Sequence, residues 1–72
     1  MKKNEDLKKM GEAIRLERLK RHLSQEKFAE MADMPTFQHL GRIEKGQVDI
    51  QVSTLLKILR ALKIKFEDLI EL

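Results

Sequence analysis

Thr36, Gln38, His39, Arg42, Lys45 and Gln47 place hydroxyl, amide, imidazole, guanidinium and ammonium groups within one twelve-residue stretch. Such groups form and release hydrogen bonds, and two of them carry fixed positive charge, so together they suit reversible recognition of a polar or anionic partner. Covalent chemistry finds poorer material. The chain has no cysteine, and therefore no disulfide, thiolate zinc site or thiol nucleophile. His22 and His39 stand seventeen residues apart, without helical ligand spacing or an obvious third ligand, so no metal site is expected. No nucleophile-base pair or carboxylate dyad can be picked out. The expectation is a binding protein with no enzymatic activity and no cofactor.

The elements that position these groups must fit in 72 residues, near the lower edge for a core without disulfides or metal. A single domain over residues 1–72 is expected, with residues 1–6 as a frayed start. The uncharged apolar runs are short, and Met1-Lys2-Lys3-Asn4-Glu5-Asp6 has no apolar region behind its lysines. Neither a membrane span nor a secretory signal is expected, and the reading is a soluble, cytoplasmic protein. The net charge of +3 and pI near 9.4 permit a polyanionic partner without requiring one. The basic excess lies early: residues 1–30 carry nine Lys/Arg against six Asp/Glu, and residues 31–72 carry six of each.

Apolar residues recur at helical spacing and nothing alternates like a strand. Breakers and caps divide the chain into five helices. The first is expected from Asn4 or Glu5 to His22, with Leu7, Met10, Ile14 and Leu19 on its apolar side. Ser24 caps a second, running to about Ala32, with Phe28, Met31 and Ala32 as its stripe. Asp33-Met34-Pro35-Thr36 is a turn, because proline lacks a ladder donor and biases Met34 away from helix. Thr36 caps a third helix, about Phe37 to Lys45, with Leu40 and Ile43 inward and Gly46 as its stop. Ser53 is expected to cap a fourth, whose Leu55, Ile58, Leu59 and Leu62 follow the i, i+3, i+4, i+7 pattern. A fifth is expected from Phe66 to Glu71, with Glu67 and Asp68 in its first turn and Leu69 facing inward.

Two of these segments carry a specific pattern: Leu23-Ser24-Gln25-Glu26-Lys27-Phe28-Ala29-Glu30-Met31-Ala32, then a tight turn and Leu40-Gly41-Arg42-Ile43-Glu44-Lys45-Gly46. The pattern resembles the lambda-repressor and Cro-like, or XRE, family of helix-turn-helix proteins, and the similarity extends from about Met10-Gly11 to Leu69. It implies an all-α, five-helix, lambda-repressor-like domain in which helices two and three form the helix-turn-helix. The implied function is sequence-specific binding of double-stranded DNA by a transcriptional regulator. The physical logic is independent of the family: a short two-helix corner can enter a major groove about 12 Å wide with the end of one helix. Small Ala29 suits the place where the helices cross.

With Leu40 and Ile43 inward, Thr36, Phe37, Gln38, His39 and Arg42 are left on the free side of the third helix. Gln38 can donate and accept at an adenine edge, Arg42 can grip guanine or a phosphate, and Phe37 can touch a thymine methyl or pack in the turn. The resemblance implies a phosphate contact for Gln25, which would also brace a side chain of the third helix. Lys27, Lys45 and Gln47 are further phosphate candidates. It also implies a partly buried ion pair between Arg18 and Glu44.

The chain departs from the family in having one extra residue between Ala29 and Glu44. Alignment backward from Glu44 puts it in the turn 33–35 and leaves Thr36 as cap. Forward alignment would make Pro35 the cap and rotate the contact set. His22 and Asp33 replace usual glycines. Leu69, Ile70 and Leu72 are the candidate dimer interface, since a two-fold homodimer would read half-sites about 34 Å apart. Length and the lack of an effector domain suggest a phage-type repressor, a restriction-modification controller or an antitoxin-like regulator. The alternative is a helix-turn-helix module that binds protein, as an antitoxin or coactivator does.

Overall fold

A computed structural model describes the backbone of residues 2–71 and the side chains of residues 5–71. Among these residues there are five helices and no strand: α1 (Lys2–Lys20), α2 (Gln25–Met31), α3 (Phe37–Glu44), α4 (Val52–Leu62) and α5 (Phe66–Leu69). None is long and apolar enough to cross a membrane.

α1 is rich in Lys, Glu, Leu and Arg, all good helix formers, and it starts two residues before the expected Asn4. Its exposed side carries Glu12–Arg15 and Glu17–Lys20 pairs, both at 3.1 Å. Arg21 does more than decorate the surface. Its guanidinium donates to the Glu17 carboxylate at 2.8 Å and reaches the Leu62 carbonyl at 2.9 Å, tying the ends of α1 and α4 together. The Arg21 and Lys20 hydrogen bonds hold the Glu17 carboxyl below its ordinary pKa. A depressed carboxylate contributes stability that is present at neutral pH and is lost as pH falls through its folded-state pKa.

Ser24 and Thr36 cap α2 and α3 as their sequence positions predict. Ser24 Oγ accepts from the Lys27 amide at 3.0 Å, and Thr36 Oγ1 from the His39 amide at 3.1 Å. The expected Ser53 cap of α4 is not what forms. The Gln51 carbonyl already accepts from the Leu55 amide at 2.9 Å, so the ladder starts earlier and Ser53 lies inside the helix. Gln51 takes the extended cap conformation without a side-chain hydrogen bond. α5 is shorter than expected: Ile70 is extended and Glu71 lies outside the helix. The Lys65 amide donates to Asp68 Oδ2 at 3.0 Å and fixes its first turn.

Four successive helices end in the same way. His22, Asp33, Gly46 and Lys63 all have positive φ, between 54° and 71°. Around each, the amide of the left-handed residue and the amide that follows it reach back to the preceding turn. These bonds are His22→Leu19 and Leu23→Arg18, Asp33→Glu30 and Met34→Ala29, Gly46→Ile43 and Gln47→Arg42, Lys63→Arg60 and Ile64→Leu59, all between 2.9 and 3.3 Å. This is the Schellman arrangement, which satisfies carbonyls otherwise orphaned at a helix end. Leu23, Met34 and Ile64, the residues after the three non-glycine stops, pack against the core. That packing holds side chains in a backbone region that disfavours a Cβ.

Lys63 is exposed and forms no ion pair among the described residues. Lys63→Gly should therefore stabilise the protein by about 0.5–1 kcal/mol, the relief of left-handed strain less the entropy glycine adds to the unfolded chain. Thermal unfolding should show a rise of roughly 2–8 °C. A fall would mean that the Lys63 side chain makes a stabilising contact.

The core comprises Ile14, Phe28, Ala29, Ala32, Leu40, Ile43, Ile58, Leu59, Leu62 and Leu69. α3 runs through it, with α1 on one side and α2 on another. The α4 stripe is inward, Leu55 lying partly buried at its margin. Three expectations fail here. Leu19 and Met31 are 42% and 46% exposed, because each sits in the last turn of its helix, where no neighbour covers it. Leu69 is buried, inward as the helix pattern expects, and so is withdrawn from the candidate dimer face. Ile70 remains partly exposed, and Leu72 lies outside the described residues.

Candidate nucleic-acid interface

The lower end of α3 is fixed by a buried polar cluster. Arg18 grips Glu44 with two donors, Nε to Oε2 at 2.7 Å and Nη2 to Oε1 at 3.1 Å. Its third nitrogen, Nη1, donates to the Leu23 carbonyl at 2.7 Å. Gln25 Nε2 adds a bond to Glu44 Oε1 at 3.0 Å. One carboxylate thus ties α3 to α1 and to the start of α2, and a bidentate guanidinium fixes orientation as well as distance. No fully buried side-chain nitrogen or oxygen lacks a partner among the described residues. Glu44 is neutralised inside the fold, so its charge does not oppose an anion at the surface.

Two glycines let this end of α3 meet α1. A Cβ on Gly11 would run into the carbonyl oxygens of Ile43 and Glu44, the latter at 2.7 Å, and a Cβ on Gly46 would lie 2.7 Å from the Lys8 backbone. Both contacts are with main chain, which cannot swing aside. Neither close approach carries a signal in apolar periodicity, and the sequence reading assigned Gly11 no structural role.

α3 presents the opposite face outward. At about 100° per residue, Gln38, Arg42 and Lys45 form the crest of the exposed side, diametrically opposite Leu40 and Ile43. Gly41 and Phe37 slope from the crest toward α2, and His39 slopes toward α4. The cap at Thr36 fixes this register, so the extra residue lies in the turn and the alternative with Pro35 as cap does not form. A groove of about 340 Å³ runs along this face, lined by Gln25, Phe37, Gln38, Gly41, Arg42, Lys45 and Gln47. Arg42 and Lys45 are exposed and pair with no carboxylate among the described residues, leaving two cations over a groove of amide and glycine surface.

Six of the nine residues singled out for DNA contact are therefore brought together: Gln25, Phe37, Gln38, Arg42, Lys45 and Gln47. Three are not. The Thr36 hydroxyl is engaged as a helix cap, and the residue borders an adjoining hollow that shares Phe37 and Gln38 with the groove and adds Glu26 and Glu30. His39 is half-buried and lines a hollow with Asp33, Gln51, Thr54 and Lys57, on the α4 side. Lys27 lies about 200° round α2 from Gln25 and is 3.5 Å from Glu30. Gly41 was missed, because the absence of a side chain leaves no chemical type to notice.

A helix-turn-helix family model matches residues 14–69, a span that contains the Arg18–Glu44 pair, the corner and all of the groove. The chain belongs to this family, of the lambda-repressor and Cro-like type. The helix-turn-helix protein is also similar to a solved structure, the restriction-modification controller protein C.AhdI from Aeromonas hydrophila. The two are 32% identical with a TM-score of 0.85, over 90% of this chain and 97% of that one. No curated protein matches it. Fold and family together make it a DNA-binding transcriptional regulator, with helices α2 and α3 as the helix-turn-helix.

Proposed function

We propose that this helix-turn-helix protein binds double-stranded DNA sequence-specifically by laying the outward face of α3 in the major groove, and that it regulates transcription in this way without catalysing a reaction. The observation that carries the reading is the juxtaposition of an outward crest, Gln38, Arg42 and Lys45, with a buried lock behind it. Gln38 and Arg42 are the base-reading side chains: an amide can pair with adenine N6 and N7, and a guanidinium with guanine O6 and N7. Phe37, 37% exposed at the first turn, meets a thymine methyl. Lys45, Gln47 and Gln25 face the phosphates on either side.

The protein acts as a homodimer in the cytoplasm, a repressor or controller of the kind its similarity to a restriction-modification controller suggests. Apolar surface for a second copy is available on the last two helices, at Ile70 and on α4, where Val52 and Leu56 are 72% and 43% exposed one turn apart.

A duplex titration at several salt concentrations tests the reading, because each phosphate neutralised contributes about −0.9 to the slope of log K against log salt. The expected result is steep salt dependence with two protomers per duplex. Salt-insensitive association with a protein, and none with DNA, would favour the protein-binding alternative.

A further inference from the structure

Gly41 is the one glycine whose conformation and packing do not call for it. Gly11 and Gly46 are pressed against main chain, whereas the nearest atoms to a Cβ on Gly41 would be those of the Gln25 side chain at 3.5 to 3.8 Å, ordinary van der Waals contact. It has no positive φ and sits inside α3, where glycine is less stable than alanine. The fold pays for a missing side chain that it does not use. What Gly41 borders is the groove, with Gln25 across from it and Gln38 and Lys45 one turn before and after.

We infer that Gly41 is a positioning residue for DNA: it keeps open a notch between Gln25, Gln38 and Lys45 in which a duplex phosphate beds against the α3 backbone. The notch has the chemistry for an anion. Lys45 supplies a charge with no carboxylate partner among the described residues, and Gln25 supplies an amide donor, retaining a second N–H after its bond to Glu44. A methyl group at 41 would lift the strand away from them. The inference rests on the DNA-binding reading above and assigns a specific contact within it.

Gly41→Ala tests it, since a methyl group has room in the free protein. Melting temperature and affinity are measured together, the latter for a selected duplex and for an unrelated one. The expected result is a melting temperature raised by roughly 2–6 °C together with an affinity loss on the order of tenfold for both duplexes, the effect of weakening one charge-assisted phosphate contact. Unchanged affinity would overturn the proposal, as would a lower melting temperature, which would show that the fold needs the glycine. Loss confined to the selected duplex would place a base edge in the notch and would overturn the phosphate assignment. If the wild-type protein binds neither duplex, the DNA-binding reading itself fails, an outcome visible before any variant is made.

Discussion

Glu44→Ala should destabilise the protein by about 3–5 kcal/mol, the range for removing one member of a buried, hydrogen-bonded ion pair. Arg18 is 7% exposed and would keep its charge in place with only the Leu23 carbonyl as acceptor, while Gln25 would lose its bond as well. A chain of this length has about 4–11 kcal/mol of stability in all, so the variant should melt at least ~12 °C lower. DNA binding should fall in step with the folded fraction. A variant that keeps its melting temperature but loses binding would show that Glu44 acts at the DNA surface instead. Replacing Arg18 and Glu44 together by apolar residues should recover part of the loss, because no charge is then stranded.

Gly11→Ala should cost about 1–3 kcal/mol or more, although alanine is the better helix former. The added methyl group would overlap the carbonyl oxygens of Ile43 and Glu44, so α1 and the end of α3 must separate. That movement stretches the Arg18–Glu44 bonds, whose shortest is 2.7 Å. The effect should therefore be less than additive when Gly11→Ala is combined with Glu44→Ala, because both release the same junction. Chemical denaturation of the two single variants and the double variant measures this. A neutral or stabilising Gly11→Ala would mean that α1 and the end of α3 can separate there without loss of packing.

The contrast between Gly11 and Ser24 shows where sequence reading succeeds. Capping by Ser24 and Thr36, the stop at Gly46 and the inward stripe of α4 are local matters, set by the hydrogen-bonding capacity of one side chain or the angular repeat of one helix, and they were legible. The Arg18–Glu44 pair bridges twenty-six residues, and only the family resemblance pointed to it. Nothing local marks Gly11, because its role is set by how near another helix comes. The same holds for His39: its position on α3 leaves it off the core face, yet α4 stands beside it and takes it away from the groove. Ser53 misled because a good capping residue inside the first turn looks like one just before it. The left-handed stop at Lys63 was hidden for a similar reason, since lysine is an ordinary helix residue. Leu69 is apolar whether it serves the core or a partner, and only the placement of α5 decided between them.

Selection of bound sites from random duplex DNA with the wild-type protein and with Arg42→Ala tests most directly the proposal that Gln38 and Arg42, on the outward face of α3, read base edges. The wild-type protein should enrich one motif, and Arg42→Ala should relax the preference at a guanine position within it, costing about 1–3 kcal/mol there while leaving the other positions intact. An unchanged motif from a folded Arg42→Ala protein, or no enrichment by the wild-type protein, would contradict it.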